Sequence, residues 1–387
     1  MKPTSFMLIA GEPSGDLLAA ELVTALKQEM PAAVQFFGAG GAKMASAGVE
    51  LAFDMTEHAV VGLVEVLKHL GKFKRLFDQL VALAFERRPD VIVCVDFSGF
   101  NRRFARQIRW ELEVRRATHG NWKPKIVQYV SPQVWASRPG RANAMARDFD
   151  LLLAIFPFEK AWYAKRVPQM RVEFVGHPAV DRFNVECSTL NVERSTASVL
   201  LLPGSRVGEL KRHLPVMLDA LKVIQTAAPD IRARMVLPNE SLLQLAGEFD
   251  CPPGLDLQVG NLHTALAEAT VAIASTGTVT MECAYFGVPT VAMYKTSWST
   301  YEIGKRIIQV KFLAMPNILA DEALFPEFIQ HDATPEKIGS ATVKLLKDPA
   351  RREIIRKKLS TVVASLGGAG ASRRAAQAIE ALLQSPA

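Results

Sequence analysis

An aspartate stands directly after one of the most apolar segments of the chain. Asp96 follows the uninterrupted apolar run Val91–Val95, which has the length and composition of a buried parallel strand. Residues at the carboxyl ends of parallel strands face the crevice in which α/β proteins bind ligands. Desolvation there raises the pKa of a carboxyl group, which suits a general base. The alternative is an N-cap for a helix starting near Asn101; the gap between the two residues makes us favour the base.

The first glycine-containing turn carries oxygen atoms suited to binding hydroxyl groups. Gly11–Asp16 joins a predicted strand to a helix predicted from about Leu17 to Met30. Backbone N–H groups at a helix start bind anions or hydroxyls, whereas carboxylates in the same turn repel a phosphate and accept hydrogen bonds from a sugar. The candidate residues are Glu12, Ser14 and Asp16. The alternative, equally favoured by spacing alone, is a tight turn in which Ser14 or Asp16 caps the helix.

Two later loops have the chemistry of a diphosphate site. The first loop closes a predicted strand, and its arginine can bind a phosphate through two parallel hydrogen bonds. The second follows the predicted strand Val271–Ala274 and opens a helix, so its N–H groups can hold another phosphate, and a glutamate one turn later can grip a ribose diol. Each loop alone fits a plain turn, but the combination predicts a nucleotide site. Its residues are Gly204, Ser205, Arg206, Thr276, Gly277, Thr278 and Glu282.

Metal and disulfide chemistry are disfavoured by residue spacing. Asp148-Phe149-Asp150 has the D-x-D spacing of metal-dependent glycosyltransferases, but it precedes the predicted strand Leu151–Phe156 instead of following it. We therefore expect a solvated loop at the sheet edge away from the ligand crevice. The four cysteines include no C-x-x-C pair, and the seven histidines show no zinc-binding spacing. No metal and no other cofactor is expected.

Charge and composition indicate a globular, basic protein. The 387 residues include 46 Lys plus Arg and 39 Asp plus Glu, a formal net charge of +7 that favours an anionic partner. No apolar run approaches the roughly 18 residues of a spanning helix, and the first residues lack signal-peptide features, so a cytoplasmic location is expected. A basic helix is predicted from about Asn101 to Arg116, but no RNA-binding signature accompanies it, so nucleic acid is not expected.

One long segment combines an apolar face with basic residues. Val61–Phe85 interleaves its apolar positions with Lys68, Lys72, Lys74 and Arg75. A basic amphipathic helix fits contact with a membrane surface. From the pattern alone, an ordinary helix packed on a sheet is favoured, although the segment has more apolar residues than one packed face needs.

The elements that must position these residues form two successive series of strands and helices. Apolar strands alternate with helices up to a polar stretch at Cys187–Ala197, and the same alternation then restarts. Continuous apolar strands between helices are typical of parallel sheets covered on both faces. We therefore predict an α/β fold with two doubly wound Rossmann-like domains facing each other across a cleft. The predicted domains are residues 1–185 and 186–365, with a final helix at about 366–387 that crosses back to the first domain.

A set of short segments distributed along the chain is recognisable as a whole. The set comprises Ile9–Asp16, Val64–Leu67, Pro89–Val91 with Asp96, Phe100-Asn101, Tyr129–Ala136, Phe156–Glu159, Val175–Pro178, Leu201–Arg206, Thr276–Thr278 with Glu282, and Leu313–Ala320. In these segments the chain resembles, nearly end to end, the lipid-A-disaccharide synthase family of inverting GT-B glycosyltransferases. The resemblance implies that UDP-2,3-diacylglucosamine and 2,3-diacylglucosamine 1-phosphate are condensed to the β-1,6-linked lipid A disaccharide 1-phosphate plus UDP, without a metal.

The resemblance also implies roles for individual residues. Asp96 matches the family's base, and Glu12, Arg206 and Asn317 match other functionally important positions. The predicted acceptor-binding residues are thus Glu12, Ser14, Asp16 and Asn101, and Asn317 joins the UDP site. The predicted acyl- and membrane-facing residues are Val64, Val66, Leu67, Leu70 and Phe73, which reverses the interpretation from pattern alone. The expected location is peripheral, on the cytoplasmic face of an anionic inner membrane, and a homodimer is left open.

Two alternatives remain at this point. A UDP-N-acetylglucosamine 2-epimerase or another GT-B UDP-sugar enzyme shares the fold and the nucleotide half, but has no need of the Val61–Phe85 surface. A regulator that binds a nucleotide sugar without turnover has no need of Asp96. A dehydrogenase is disfavoured because neither first turn carries G-x-G-x-x-G.

Overall fold

The computed structural model describes residues 3–30, 32–56, 70–115, 120–187 and 197–384. The chain divides into two compact units: the first comprises Met1–Asp181 and Leu366–Ala387, and the second comprises Arg182–Ser365. The C-terminal helix therefore returns to the first unit, as predicted. Each unit contains a parallel sheet with helices, which confirms the predicted pair of Rossmann-like domains. The polar stretch predicted as a link falls mostly at residues 188–196, outside the described residues.

In the described part of the first unit, seven parallel strands form a sheet of order β3-β2-β1-β4-β5-β6-β7. The strands are β1 (Thr4–Ala10), β2 (Val34–Gly40), β3 (Glu50–Asp54), β4 (Val91–Val95), β5 (Lys125–Tyr129), β6 (Leu151–Ala154) and β7 (Val172–Phe174). The helices are α1 (Pro13–Glu29), α2 (Ala42–Ser46), α3 (Leu70–Arg87), α4 (Ser98–Val114), α5 (Val134–Ser137), α6 (Arg141–Asp148), α7 (Pro157–Arg166) and α8 (Ala179–Cys187). Helix α8 begins in the first unit and continues into the second. The order reverses between β1 and β4, the point at which doubly wound sheets bind ligands.

Apolar cores cover both faces of this sheet. Successive strand residues point to opposite faces, so Leu8 and Ile9 belong to different core clusters, and both are fully buried. The C-terminal helix packs beside α1 in one of these clusters through residues such as Ile379. This packing explains why the central strands are continuous apolar runs and why a segment so distant in sequence completes the first unit.

The second unit has a six-stranded parallel sheet in its described part, of order β10-β9-β8-β11-β12-β13. Its strands are β8 (Ser198–Leu202), β9 (Arg232–Leu237), β10 (Leu255–Val259), β11 (Val271–Ser275), β12 (Thr290–Tyr294) and β13 (Glu327–Ile329). The remaining helices are α9 (Val207–Ala227), α10 (Glu240–Ala246), α11 (Leu262–Glu268), α12 (Thr278–Tyr285), α13 (Trp298–Ile307), α14 (Met315–Ala320), α15 (Pro335–Lys347), α16 (Pro349–Ser365) and α17 (Ala371–Gln384), of which α17 belongs to the first unit.

Two kinds of difference from the sequence-based expectation have simple causes. Helix α1 begins at Pro13 instead of about Leu17, because proline is well suited to the first helical turn and needs no N–H partner there. Three edge strands, β3, β7 and β13, were not predicted. They have three to five residues and are mostly half-buried, so they lack the continuous apolar run that marks a central strand.

Candidate active site

Asp96 lies on a strained turn at the carboxyl end of β4. Its φ angle is +47° and that of Phe97 is +38°, so two consecutive residues adopt the left-handed conformation. Such backbone costs about 1–2 kcal/mol per non-glycine residue and persists only when its surroundings hold it. Helix α4 begins two residues later with Phe97 at its N-cap and no side-chain cap. The predicted alternative, in which Asp96 caps this helix, is therefore wrong.

Two buried amides hold this turn. The Asn101 Nδ2 group donates to the carbonyl oxygens of Asp96, at 2.9 Å, and Val95, at 3.2 Å. The Gln128 Nε2 group donates to the same Asp96 carbonyl at 3.0 Å. Both amides are almost completely buried. Asn101, predicted to bind the acceptor, thus has its Nδ2 group engaged with backbone, and Gln128 was missed, although a polar residue inside the apolar strand Lys125–Tyr129 was a usable signal.

The start of α1 approaches the Asp96 turn closely. The Phe97 ring lies against Gly11, where an added Cβ would be 2.4 Å from the ring, and a Cβ on Gly15 would lie 3.8 Å from that of Asp96. This close approach requires glycine at position 11. It also brings Glu12 into electrostatic range of Asp96. Burial raises the pKa of Asp96 above its ordinary value, the Glu12 charge raises it further, and a hydrogen bond from the Phe97 N–H opposes the two.

The other two candidates in the first turn differ in their surroundings. Ser14 is exposed in the first turn of α1. Asp16 is buried, and its carboxylate accepts hydrogen bonds from the backbone N–H groups of Gly41, Lys43 and Met44 at 2.7, 2.9 and 3.1 Å. Asp16 therefore satisfies the N-terminus of α2 instead of capping its own helix.

The second unit encloses a cavity of about 670 Å³, within the range that accommodates small-molecule ligands. Seven of the predicted UDP-binding residues line it: Gly204, Ser205, Arg206, Thr276, Gly277, Thr278 and Glu282. Helix α9 begins at Val207 and α12 at Thr278, so two helix N-termini border the cavity. Such ends attract phosphate groups through their unpaired N–H groups and helix dipoles. The structure thus brings together the two loops that the sequence suggested as a diphosphate site.

Side chains behind the first loop shape this cavity. Gly204 has a φ angle of +121°, and an added Cβ there would lie 2.7 Å from a Glu209 carboxylate oxygen. Glu209 accepts a hydrogen bond from the Ser205 N–H at 3.2 Å and lies 3.5 Å from the Arg206 guanidinium, which is otherwise largely exposed. Buried His213 connects the Pro203 carbonyl with the Lys295 N–H and thereby ties the end of β8 to that of β12. Sequence analysis missed both Glu209 and His213.

Glu282 and Asn317 have different positions relative to the cavity. Glu282 lines it and lies 3.5 Å from the His263 imidazole. Asn317 is fully buried and is not among the lining residues; its amide binds both the N–H and the carbonyl of Phe325 and donates to Glu327. Asn317 therefore organises the α14–β13 segment. Leu313 precedes this segment, donates its N–H to Glu327 and lines the cavity.

The protein-family model described as lipid-A-disaccharide synthetase matches residues 6–382. A lipid-A-disaccharide synthase from Geobacter sulfurreducens is 38% identical, with 96% of this chain and 95% of that protein covered. The synthase from Trichlorobacter lovleyi is 35% identical, with 99% and 98% covered. The chain belongs to the lipid-A-disaccharide synthase family.

Solved structures support the fold. The UDP-GlcNAc 2-epimerase from Neisseria meningitidis, bound to UDP-GlcNAc, gives a TM-score of 0.61 with 10% identity and full coverage of both chains. The calicheamicin glycosyltransferase CalG4 gives 0.59 with 17% identity, again over both whole chains. Family membership confirms the predicted glycosyltransferase of lipid A biosynthesis. The epimerase alternative is not favoured, because the likeness to epimerases concerns the fold alone.

The D-x-D segment differs from its prediction as a solvated loop. Asp148 is buried at the end of α6 and pairs with Arg147 at 3.0 Å. Asp150 accepts hydrogen bonds from the Ile126 N–H and from Arg109, both at 2.6 Å. The solvated-loop prediction is wrong, because Asp148 is buried and the Asp150 carboxylate fastens α4 to β5. In residues 3–30, 32–56, 70–115, 120–187 and 197–384, no group of three or more potential metal-binding side chains occurs.

A buried carboxyl group that the sequence did not single out organises the next loop. Glu159 accepts hydrogen bonds from the Trp135 Nε1 group at 3.0 Å and the Phe156 N–H at 3.1 Å. Burial raises the pKa of Glu159 to about 7, although hydrogen bonds from Phe156, Ser131 and Trp135 oppose the shift. Glu159 therefore anchors the segment after β5 to the start of α7.

The predicted membrane-facing residues lie largely outside the described part of the chain. Val64, Val66 and Leu67 fall in residues 57–69, and Leu70 begins helix α3. Phe73 is half-buried, whereas Leu80 and Ala84 on the same helix are fully buried in the core. The second half of α3 is thus an ordinary packed helix. Within the described residues, no helix combines the length and the apolar character needed to cross a bilayer.

Proposed function

We propose that Asp96 is the general base of a transferase that joins two acylated glucosamines, with a UDP-activated donor and a sugar 1-phosphate acceptor. The observation that carries this proposal is the Asp96 carboxylate, which stands at the sheet's switch point with a raised pKa. A pKa moved toward neutrality makes a carboxylate a better proton acceptor at working pH. Asp96 takes the proton of the acceptor 6-hydroxyl as that oxygen attacks the anomeric carbon, and a single displacement inverts an α-linked donor to a β product.

The cavity of the second unit is proposed to hold UDP. Arg206 and the N-terminus of α12 stabilise the charge that develops on the leaving diphosphate. Glu282 accepts hydrogen bonds from the ribose hydroxyls. Asn317 acts through the α14–β13 segment, and Asp16 acts through α2, so both are proposed as positioning residues. Glu12 and Ser14 remain the candidates for direct contact with the acceptor.

The test is UDP release with both diacylated sugars present and with each omitted in turn. Asp96→Asn keeps the shape of the side chain and tolerates a left-handed backbone. We expect it to lower turnover by about 10²–10⁴-fold while UDP affinity stays unchanged. Asp230→Asn, an exposed carboxylate of the second unit, is the matched control. Turnover near the wild-type rate in Asp96→Asn across the pH range would show that another group is the base.

A membrane-facing surface on the first unit is also proposed. Both substrates carry acyl chains, and each CH₂ group kept out of water contributes about 0.8 kcal/mol. In the described residues, α3 exposes Lys74 and Arg75, and the neighbouring α4 exposes Trp110 and Val114, by 52% and 62%. Exposed tryptophan and exposed basic residues on neighbouring helices are typical of protein that lies on an anionic bilayer. The proposed location is therefore the cytoplasmic face of the inner membrane.

Vesicle cosedimentation tests this surface. We expect Trp110→Ser, and separately the triple change of Val64, Val66 and Leu67 to Ser, to weaken binding to anionic vesicles with little change in UDP affinity. Unchanged vesicle binding together with a strongly lowered melting temperature would mean that these residues pack in the hydrophobic core. A homodimer is the remaining partner hypothesis, and sedimentation equilibrium of the detergent-free protein decides it.

A further inference from the structure

Four arginines of the first unit lie around the starts of two neighbouring helices. Arg102 and Arg103 are in the second turn of α4, Arg141 is the first residue of α6, and Arg138 precedes it by three positions. Burial lowers the pKa of the Arg141 guanidinium, and the charges of Arg102, Arg138 and Arg103 lower it further. The three other arginines are therefore within electrostatic range of Arg141.

Helix geometry independently requires this proximity. Helices α4 and α6 follow the adjacent parallel strands β4 and β5 and contribute to the same core cluster, so they run in the same direction. At their far ends, the Arg109 Nε group donates to the Asp148 carbonyl at 3.2 Å. Arg102 precedes Arg109 by the same seven residues by which Arg141 precedes Asp148. Seven helical residues span about 10 Å in each helix, so contact at one end places Arg102 level with Arg141 at the other.

The four charges lack neutralising partners in the part of the chain that the structure describes. There, none of them lies within 4.0 Å of a carboxylate. The other ends of the same helices differ, because Arg109 pairs with Asp150 at 2.6 Å and Arg147 with Asp148 at 3.0 Å. Like charges held together, two of them half-buried, are unfavourable unless an anion compensates them. The arrangement is thus that of a binding site for an anion.

The position of the cluster relative to Asp96 identifies the kind of anion. Helix α4 begins two residues after Asp96, and Arg102 lies about 6 Å further along the helix axis. A sugar 1-phosphate whose 6-hydroxyl meets the base carries its phosphate on C1, which is separated from C5 only by the ring oxygen, so the phosphate lies within about one ring width of the base. Guanidinium groups match phosphate oxygens through paired, charge-assisted hydrogen bonds. We propose that Arg102, Arg103, Arg138 and Arg141 bind the phosphate monoester of the acceptor, an inference that rests on the proposed function.

The test compares 2,3-diacylglucosamine 1-phosphate with the same lipid bearing a free 1-hydroxyl. We expect the double variant Arg102→Gln/Arg141→Gln to raise KM for the phosphorylated acceptor by at least about tenfold. For the free 1-hydroxyl acceptor, we expect a KM within about twofold of wild type, because no charge-assisted contact is lost there. Arg106→Gln, one turn further along α4 and exposed, is the matched control and keeps the wild-type preference. Arg141→Lys retains the charge but not the paired geometry, so an intermediate KM is expected.

Two further measurements separate the alternatives. Removing mutually repelling charges should leave the melting temperature of the double variant unchanged or higher; a lower one would mean that the cluster is structural. The phosphate that the arginines bind could also belong to a bilayer headgroup. Binding of the protein to phosphatidylglycerol vesicles and to phosphatidylcholine vesicles is therefore compared. A double variant that loses binding to the anionic vesicles yet keeps the wild-type preference for the phosphorylated acceptor would overturn the proposal.

Failure of this proposal is distinguishable from failure of the proposed function. If wild-type protein releases no UDP with either acceptor, the proposed function fails. Calorimetry with glucosamine 1-phosphate then still tests whether the four arginines bind a phosphate monoester. Binding by wild type and Arg106→Gln but not by the double variant supports the site, whereas equal binding by all three refutes it. If the wild type turns over and both acceptors lose affinity equally in the double variant, the acceptor-phosphate assignment alone is wrong.

Discussion

Asn101 and Gln128 provide the most informative perturbation, because both donate to the carbonyl oxygen of Asp96, at 2.9 and 3.0 Å. When one of the two amides is removed, the other still donates a hydrogen bond to this carbonyl. Asn101→Ala additionally loses the 3.2 Å bond to Val95, and Gln128→Ala loses the 3.2 Å bond to Val130. Each single change should therefore lower the free energy of unfolding by about 1–2 kcal/mol for its hydrogen bonds, plus a contribution from the cavity.

The double change should cost more than the sum of the two. With both amides removed, the Asp96 carbonyl loses both side-chain donors, and an unsatisfied buried acceptor costs about 1–3 kcal/mol. The cavity contributions of the two sites largely cancel in a double-mutant cycle, so the cycle isolates this coupling. The left-handed conformation of Asp96 and Phe97 then has little to oppose its strain. Turnover should fall by more than the loss of folded protein accounts for, because the base loses its orientation.

Urea unfolding of the four proteins, with UDP-release kinetics on each, measures both effects. We expect a coupling free energy of at least about 1 kcal/mol, a lower kcat and a nearly unchanged KM for the acceptor. An additive cycle would refute the shared-carbonyl argument. If Asn101→Ala raised KM for the acceptor with kcat unchanged, Asn101 would contact the acceptor directly instead of positioning Asp96.

Three further predictions concern individual charges. Glu12→Gln removes one of the two causes that raise the pKa of Asp96, so the acidic limb of the kcat–pH profile should move to lower pH; an unmoved limb would exclude this coupling. Burial raises the pKa of Glu159 to about 7, so its protonated form stabilises the fold at pH 4 and this stabilisation is lost as pH rises through 7; urea unfolding at pH 5 and 8 should show that loss, and Glu159→Gln should reduce it. Arg206→Ala should weaken UDP binding by about 10-fold or more in calorimetry, whereas Arg212→Ala, whose side chain binds the Gly208 carbonyl, should not.

Several features were accessible from the sequence because they depend on neighbours along the chain. The apolar runs Val91–Val95 and Val271–Ala274 lie in central parallel strands, since only strands buried on both faces need continuous apolar residues. A residue that follows such a strand must lie at the sheet's carboxyl edge, which located Asp96 and the loop Thr276–Thr278. The alternation of strands and helices then implied two doubly wound units.

Other features were decided by contacts between segments that are distant in sequence. The sequence suggested that Asp16 acts within its own turn. In the structure its carboxylate instead accepts hydrogen bonds from the start of α2, 25 to 28 residues away. The solvated Asp148–Asp150 loop was a wrong expectation for the same reason, because Arg109 and the Ile126 N–H reach Asp150 from other elements. Polar side chains can satisfy many partners, so their spacing does not specify which partner is used.

The electrostatic environment of the site depends most strongly on tertiary structure. The pKa of Asp96 is raised by burial and by Glu12, a residue 84 positions earlier that reaches it only because Gly11 lets α1 approach the turn. Arg102 and Arg141 come within electrostatic range of each other because β4 and β5 are neighbours in the sheet. The order of residues along the chain specifies which chemical groups stand at the carboxyl ends of the strands. Only the folded chain decided which charges face one another, because Coulomb interactions depend on distance through space and on burial.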